Sequence, residues 1–99
     1  VKIAIREPAE FPGRWRSLRS IDQAVLVILA AGGRPYTKES RQRIAQILEV
    51  APDGITASTI QKSLKRMSAK GIIASIGSRE YQIEDRAFSA WIREEAGAI

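Results

Sequence analysis

The sequence contains no cysteine and no histidine. Without cysteine there is no disulfide, thiolate zinc site or thiol nucleophile, and without histidine the commonest metal ligand and the side chain that titrates nearest neutral pH are missing. Most enzyme chemistries, and any metal site, lose their usual residues. Long apolar runs are lacking too. The longest, Ala24 to Ala31, falls far short of the roughly 20 residues of a membrane span. No cationic-then-apolar leader opens the chain, so a cytoplasmic protein without a membrane partner is expected. There is also no GxxxxGK[ST] loop to cradle a triphosphate and no paired acidic strand end to hold magnesium. General acid–base work wants a poised histidine or paired carboxylates. Glu84 and Asp85 are adjacent and would point to opposite faces of a strand, while Glu94 and Glu95 fall in the tail. The expectation is a non-enzymatic chain with no cofactor.

What is present is the balance of one globular domain: 99 residues, 44% apolar and 27% charged. The chain opens on Val1 without a methionine, as expected of a domain cut from something longer. Its net charge of +5 favours a polyanionic partner. The excess is localised. Residues 1–19 carry five cations (Lys2, Arg6, Arg14, Arg16 and Arg19) against two acids. Residues 55–71 carry Lys62, Lys65, Arg66 and Lys70 with no acid at all, whereas a solvated helix face normally mixes signs.

Local patterns give an order of elements. VKIAI (residues 1–5) alternates as a short strand does, and Phe11, Trp15 and Leu18 form a helical stripe that leaves Arg14, Arg16 and Arg19 outside. Ser20 with Gln23 reads as a capping box for a first secure helix, with Ile21, Val25, Ile28 and Leu29 inward and Gly32 and Gly33 as its stop. Thr37 caps a second helix with Ile44, Ile47 and Leu48 inward, ended by the turn Pro52, Asp53, Gly54. Thr56 caps a third, with Ile55 and Ile60 as its hydrophobic staple and Ser58 with Gln61 as an alternative box. Its inner stripe is Ile60, Leu64 and Met67; the opposite side presents Ser58, Lys62, Lys65 and Arg66, with Thr59 and Gln61 on the flanks. Ile72–Ile76 and Glu80–Glu84 read as a hairpin around Gly77, Ser78 and Arg79. Asp85 caps a last helix with Phe88, Trp91 and Ile92 inward.

Three helices followed by a two-stranded hairpin is the winged helix-turn-helix arrangement, and the run TASTIQKSLKRMSAKGIIASI resembles the recognition helix and first wing strand of that fold. The closing SREYQIEDRAFSAWI resembles the end of the winged-helix domain that follows the nucleotide-binding module in a group of prokaryotic AAA+ type P-loop ATPases. RWRSLRSIDQAVLVILAAGG is similar to the start of that domain. The resemblance covers residues 15–93. It implies a mainly α fold with a small β-hairpin: a three-helix core, a two-stranded wing and an extra C-terminal helix. One departure is the connection from Glu49 to Thr56, longer than the tight turn of simple helix-turn-helix repressors. The expected division is a basic arm or linker over 1–19, the winged-helix domain over 20–93 and a flexible tail over 94–99.

The resemblance implies that the third helix enters a major groove of duplex DNA. Lys62, Lys65 and Arg66 would then meet phosphates or, for Arg66, a guanine edge; Ser58, Thr59 and Gln61 would meet phosphate or base edge near the helix start. Arg79 at the wing tip would reach a minor groove or flanking phosphate. The competing expectation is a protein-docking or autoregulatory module that contacts the nucleotide-binding domain of its own parent chain and not DNA.

Overall fold

The run Ala24–Ala30 is apolar on every side, and a helix with that pattern belongs in the middle of a domain. In the computed structural model, which describes residues 10–78 and 80–96, that is where it lies. Helix α2 (Ser20–Ala30) buries every residue from Ala24 to Ala30. Packed around it are α3 (Lys38–Leu48), α4 (Ala57–Ala69), the second strand of a hairpin and the last turn of the chain. A preceding helix, α1 (residues 10–16), and a final one, α5 (Arg86–Trp91), complete the helical part. α5 runs on into a π-helical turn, Ile92–Ala96.

Helix boundaries follow local chemistry in most places. Thr37 caps α3 by accepting from the Ser40 amide, and Asp85 caps α5 by accepting from the Ala87 and Phe88 amides. Gly32 and Gly71 follow the ends of α2 and α4 with φ of +83° and +75°, a backbone conformation that costs glycine little. Two expectations change. The capping box of Ser20 does not form: Arg19 occupies the cap position of α2 with no side-chain bond, and Gln23 Nε2 instead donates to the Trp15 carbonyl at 2.7 Å. That carbonyl, near the end of α1, also accepts from the Leu18 amide at 3.1 Å, and Gln23 fills its second acceptor position. α3 also ends before the Pro52 turn, with Glu49 in the left-handed region at φ 57°. Pro52–Gly54 forms a separate 3₁₀ turn.

The hairpin pairs β1 (Ile73–Gly77) with β2 (Glu80–Ile83) antiparallel, Ile73 opposite Ile83 and Gly77 opposite Glu80. The expected loop of Gly77, Ser78 and Arg79 is thereby shortened by one residue. The register shifts between Ser75 and Gly77, leaving Ile76 unpaired and 55% exposed. Such a bulge bends the strand and re-aims its side chains. Arg79 and the strand expected over residues 1–5 lie outside the described residues.

Residues 10–18 pack against the body that begins at Ser20. Phe11 is buried, its ring 5.2 Å from Phe88 and 6.1 Å from Trp91; Trp15 meets Trp91 edge-on at 6.2 Å. Arg14 lies 4.4 Å from the Phe88 ring centroid and 3.4 Å from the Asp85 carboxylate. Ile92 and Ala96 are buried at the other end of α5, so the chain is anchored well into the stretch expected to be a tail.

Phe88 is fully buried among Phe11, Trp91 and the core. Phe88→Ala is therefore expected to cost about 3–5 kcal/mol, from lost transfer energy and the cavity left behind. Ile76→Ala, at an exposed bulge, is expected to stay within about 0.5 kcal/mol. Urea unfolding midpoints of the two variants measure the contrast.

Candidate nucleic-acid interface

The α4 helix starts where its sequence places it. Thr56 Oγ1 accepts from the Thr59 amide at 3.2 Å and lies 3.0 Å from the Thr59 hydroxyl, while Ile55 and Ile60 are both buried as a staple. The inward stripe is Ile60, Leu64 and Met67, joined by the buried hydroxyl of Ser63. Ser58, Gln61, Lys62, Lys65 and Lys70 are exposed. None of the three lysines has an ion pair among the described residues. Thr59 is only half exposed, and its hydroxyl is engaged with the cap.

Arg66 departs from expectation. It is not a free cation on the outer face but half of a charged pair that locks α4 to α2. Asp22, in the first turn of α2, is 1% exposed. Arg66 presents its guanidinium edge to this carboxylate, Nη2 donating to Oδ1 at 2.7 Å and Nε to Oδ2 at 3.0 Å. Ser63 adds a third bond, its hydroxyl donating to Oδ1 at 2.6 Å. A buried carboxylate without partners is expensive, and two parallel N–H···O bonds from a fork are the strongest compensation a side chain can offer. Burial pushes the Asp22 carboxyl up, but the bonds from Arg66 and Ser63 and the nearby positive charge outweigh it and hold the group below its ordinary value of 3.8. The same bond with Asp22 raises Arg66.

Beside the start of α4, a cleft of about 400 Å³ is lined by Tyr36, Arg41, Ala57, Gln61 and Tyr81. Arg41 also borders a second cleft, of about 420 Å³, that reaches Lys38, Thr56 and Asp53. The Nε of Arg41 is buried without a hydrogen-bond partner among the described residues. The hairpin is held beside this region by Arg34, whose Nη2 donates to Glu80 at 2.6 Å. Among the described residues no group of three or more carboxylates could hold a metal ion. No described helix is long and apolar enough to cross a membrane.

The structure thus leaves Ser58, Lys62 and Lys65 exposed on the outer side of α4 and Gln61 exposed on its flank, engages the Thr59 hydroxyl with the cap and pairs Arg66 with Asp22. Ser63, Arg41 and Tyr36 join the description without having stood out in the sequence, and Asp22 and Tyr81 join it from the runs that carry the resemblance, where neither has an expected site role. The signal present was a carboxylate and a hydroxyl at two positions that helical spacing places next to apolar stripes, in Ile21–Asp22 and Ser63–Leu64.

The pair sets a pH dependence. Because the Asp22 carboxyl is lowered on folding, its contribution is complete above the ordinary carboxylate value and is lost as pH falls through the folded value. Arg66→Met leaves the carboxylate buried without its fork. We expect about 3–5 kcal/mol of destabilisation near neutral pH, the loss typical of a broken buried pair. We also expect a reversed trend: with the Arg66 bonds gone, burial, the largest influence on the carboxyl, outweighs the Ser63 bond and Lys70, so stability increases as pH falls. Asp22→Asn should cost less, since Arg66 is already 24% exposed and can turn to water. Thermal or urea unfolding of both variants between pH 4 and 7 reads these signs.

Compared with known proteins, the chain matches no family model, no curated protein and no solved structure.

Proposed function

We propose that this chain is a non-catalytic winged-helix module that binds duplex DNA through α4, of the kind that follows the nucleotide-binding module in AAA+ type P-loop ATPases. The observation that carries the reading is the outer face of α4. Lys62 and Lys65 are exposed, lie roughly 150° around the helix from the Ile60, Leu64 and Met67 stripe, and have no carboxylate bonded to them among the described residues. Unpaired cations of one sign on a rigid helix are the electrostatic footprint of a phosphate-binding surface. Ser58 and Gln61, exposed near the start of the same helix, supply hydroxyl and amide groups for phosphate or base edge. Arg41 and Tyr36 border the cleft beside Gln61, where a flanking phosphate would lie. Arg66 is left out of this surface, because leaving Asp22 to meet DNA would abandon a buried carboxylate.

With Lys62, Lys65, Lys70 and Arg41 each neutralising a phosphate, log K for a random duplex should fall against log salt with a slope of roughly −3.6. A lone module is expected to bind in the non-specific range of about 10⁻⁴ to 10⁻⁶ M. Lys62→Ala with Lys65→Ala should reduce the steepness by about one for each phosphate no longer neutralised, at unchanged stability. Fluorescence anisotropy with a labelled duplex at several salt concentrations measures both. Unchanged affinity and slope in the double variant would overturn the reading and favour a protein-docking module.

A further inference from the structure

Away from α4, the residues Arg86, Ser89 and Arg93 follow one another at i, i+3 and i+7 along α5 and the turn after it. With Gln82 of β2 they rim a cavity of about 280 Å³ whose floor is Leu29 and Ile83. Each polar side chain on this rim can donate a hydrogen bond, and no carboxylate among the described residues lines the cavity. One guanidinium is already positioned: Arg93 Nη1 donates to the Ala30 carbonyl at 3.0 Å, which pins the head and leaves its remaining N–H groups for another acceptor. The other is idle. Arg86 is exposed and makes no hydrogen bond or ion pair with a described residue. It also occupies the first position of α5, the end of a helix at which positive charge is not stabilised. Its charge therefore does nothing for its own helix.

We propose that this cavity binds a phosphoryl group. Two guanidinium groups, a hydroxyl and an amide supply more donors than the two coplanar oxygens of a carboxylate accept, whereas a phosphoryl group offers three oxygens in a tetrahedral array. The cavity is smaller than the roughly 300–1,000 Å³ of a pocket for a drug-sized ligand, and no aromatic ring lines it to stack a base. It suits the anion alone, carried either by a small phosphate compound or by a nucleic-acid backbone. The site is separate from the α4 surface. Tyr81, which borders the α4 cleft, and Gln82, which borders this one, are neighbours on β2 and point to opposite sides of the hairpin. The inference does not depend on duplex binding by α4.

The test is a titration of the isotopically labelled full chain with inorganic phosphate at constant ionic strength, read by NMR at the Arg86 and Arg93 Nε–Hε groups and the Ser89 amide. Saturable shifts confined to this cavity are expected. Arg86→Gln, a change at an exposed residue without a partner among the described residues, should weaken phosphate binding by about tenfold or more, the loss of a charged hydrogen bond. Ser89→Ala, which removes a donor and no charge, should weaken it by a smaller factor. Linear shifts without saturation, or identical titrations of wild type and Arg86→Gln, would overturn the proposal. The source of the phosphoryl group is read separately from duplex binding by Arg86→Gln. A salt slope shallower by about one assigns the site to a nucleic-acid backbone, and an unchanged slope with lost phosphate binding assigns it to a small phosphate compound.

Discussion

The arrangement rests on a carboxylate that cannot be in water. Asp22 sits at 1% exposure between α2 and α4, and the three side-chain bonds that keep it charged come from one helix: Ser63 at one position and Arg66 three residues on. Three bonds from one side of α4 to a fixed point on α2 set the rotation of α4 about its own axis as well as its distance. Apolar contacts alone, from Ile60, Leu64 and Met67, tolerate some rolling of a helix; a forked pair does not. Buried ion pairs are weak evidence for net stability, but removing one partner is costly, so their influence is on which arrangement is adopted. Here the arrangement adopted turns Lys62 and Lys65 to solvent.

Around that fixed axis the rest of the chain is layered by ordinary burial. α2 is apolar on all sides and is covered by α3, α4, β2 and the final turn. The aromatic cluster of Phe11, Trp15, Phe88 and Trp91 ties α1 to α5, bringing residues early and late in the chain into one core. The hairpin depends less on burial. Its tip is polar apart from the bulged Ile76, and the Arg34–Glu80 bond links it to the α2–α3 connection. With Arg34 68% exposed, this bond positions more than it stabilises.

What was legible in the sequence was what acts over a few residues. The caps of Thr37, Thr56 and Asp85, the glycine stops and the stripe of α4 depend on neighbours within one or two turns, and these formed as their spacing implied. What was not legible acts over distance. Arg66 and Asp22 are 44 positions apart, and helical spacing places Arg66 on the outer side of α4, about as far around from the apolar stripe as Lys65, so periodicity does not show that its long side chain reaches back to α2. Only the presence of a buried acid across the interface decides the matter. The capping box at Ser20 failed for a similar reason: the Gln23 amide had the Trp15 carbonyl to donate to as well as the local Ser20 N–H to accept from. The bulge at Ile76 came from strand pairing, which alternation in a single strand does not encode. For the candidate site, the exposed lysines were read from the helix alone, whereas Arg41 and Tyr81 reach the same cleft from α3 and β2 and needed the packing to bring them there.

The cations of α4 divide into Arg66, which holds the fold, and Lys62 and Lys65, which face solvent and on the proposed function would meet a polyanion. A single experiment sees both roles at once: an NMR titration of the labelled chain with a duplex at low salt, following the α4 amides and the Arg66 Nε–Hε group together. The division predicts that the amides near Lys62 and Lys65 shift progressively while the Arg66 Nε–Hε signal keeps its position and its protection from exchange. Movement of the Arg66 signal on addition of DNA, or silence along α4 while other surfaces respond, would contradict it.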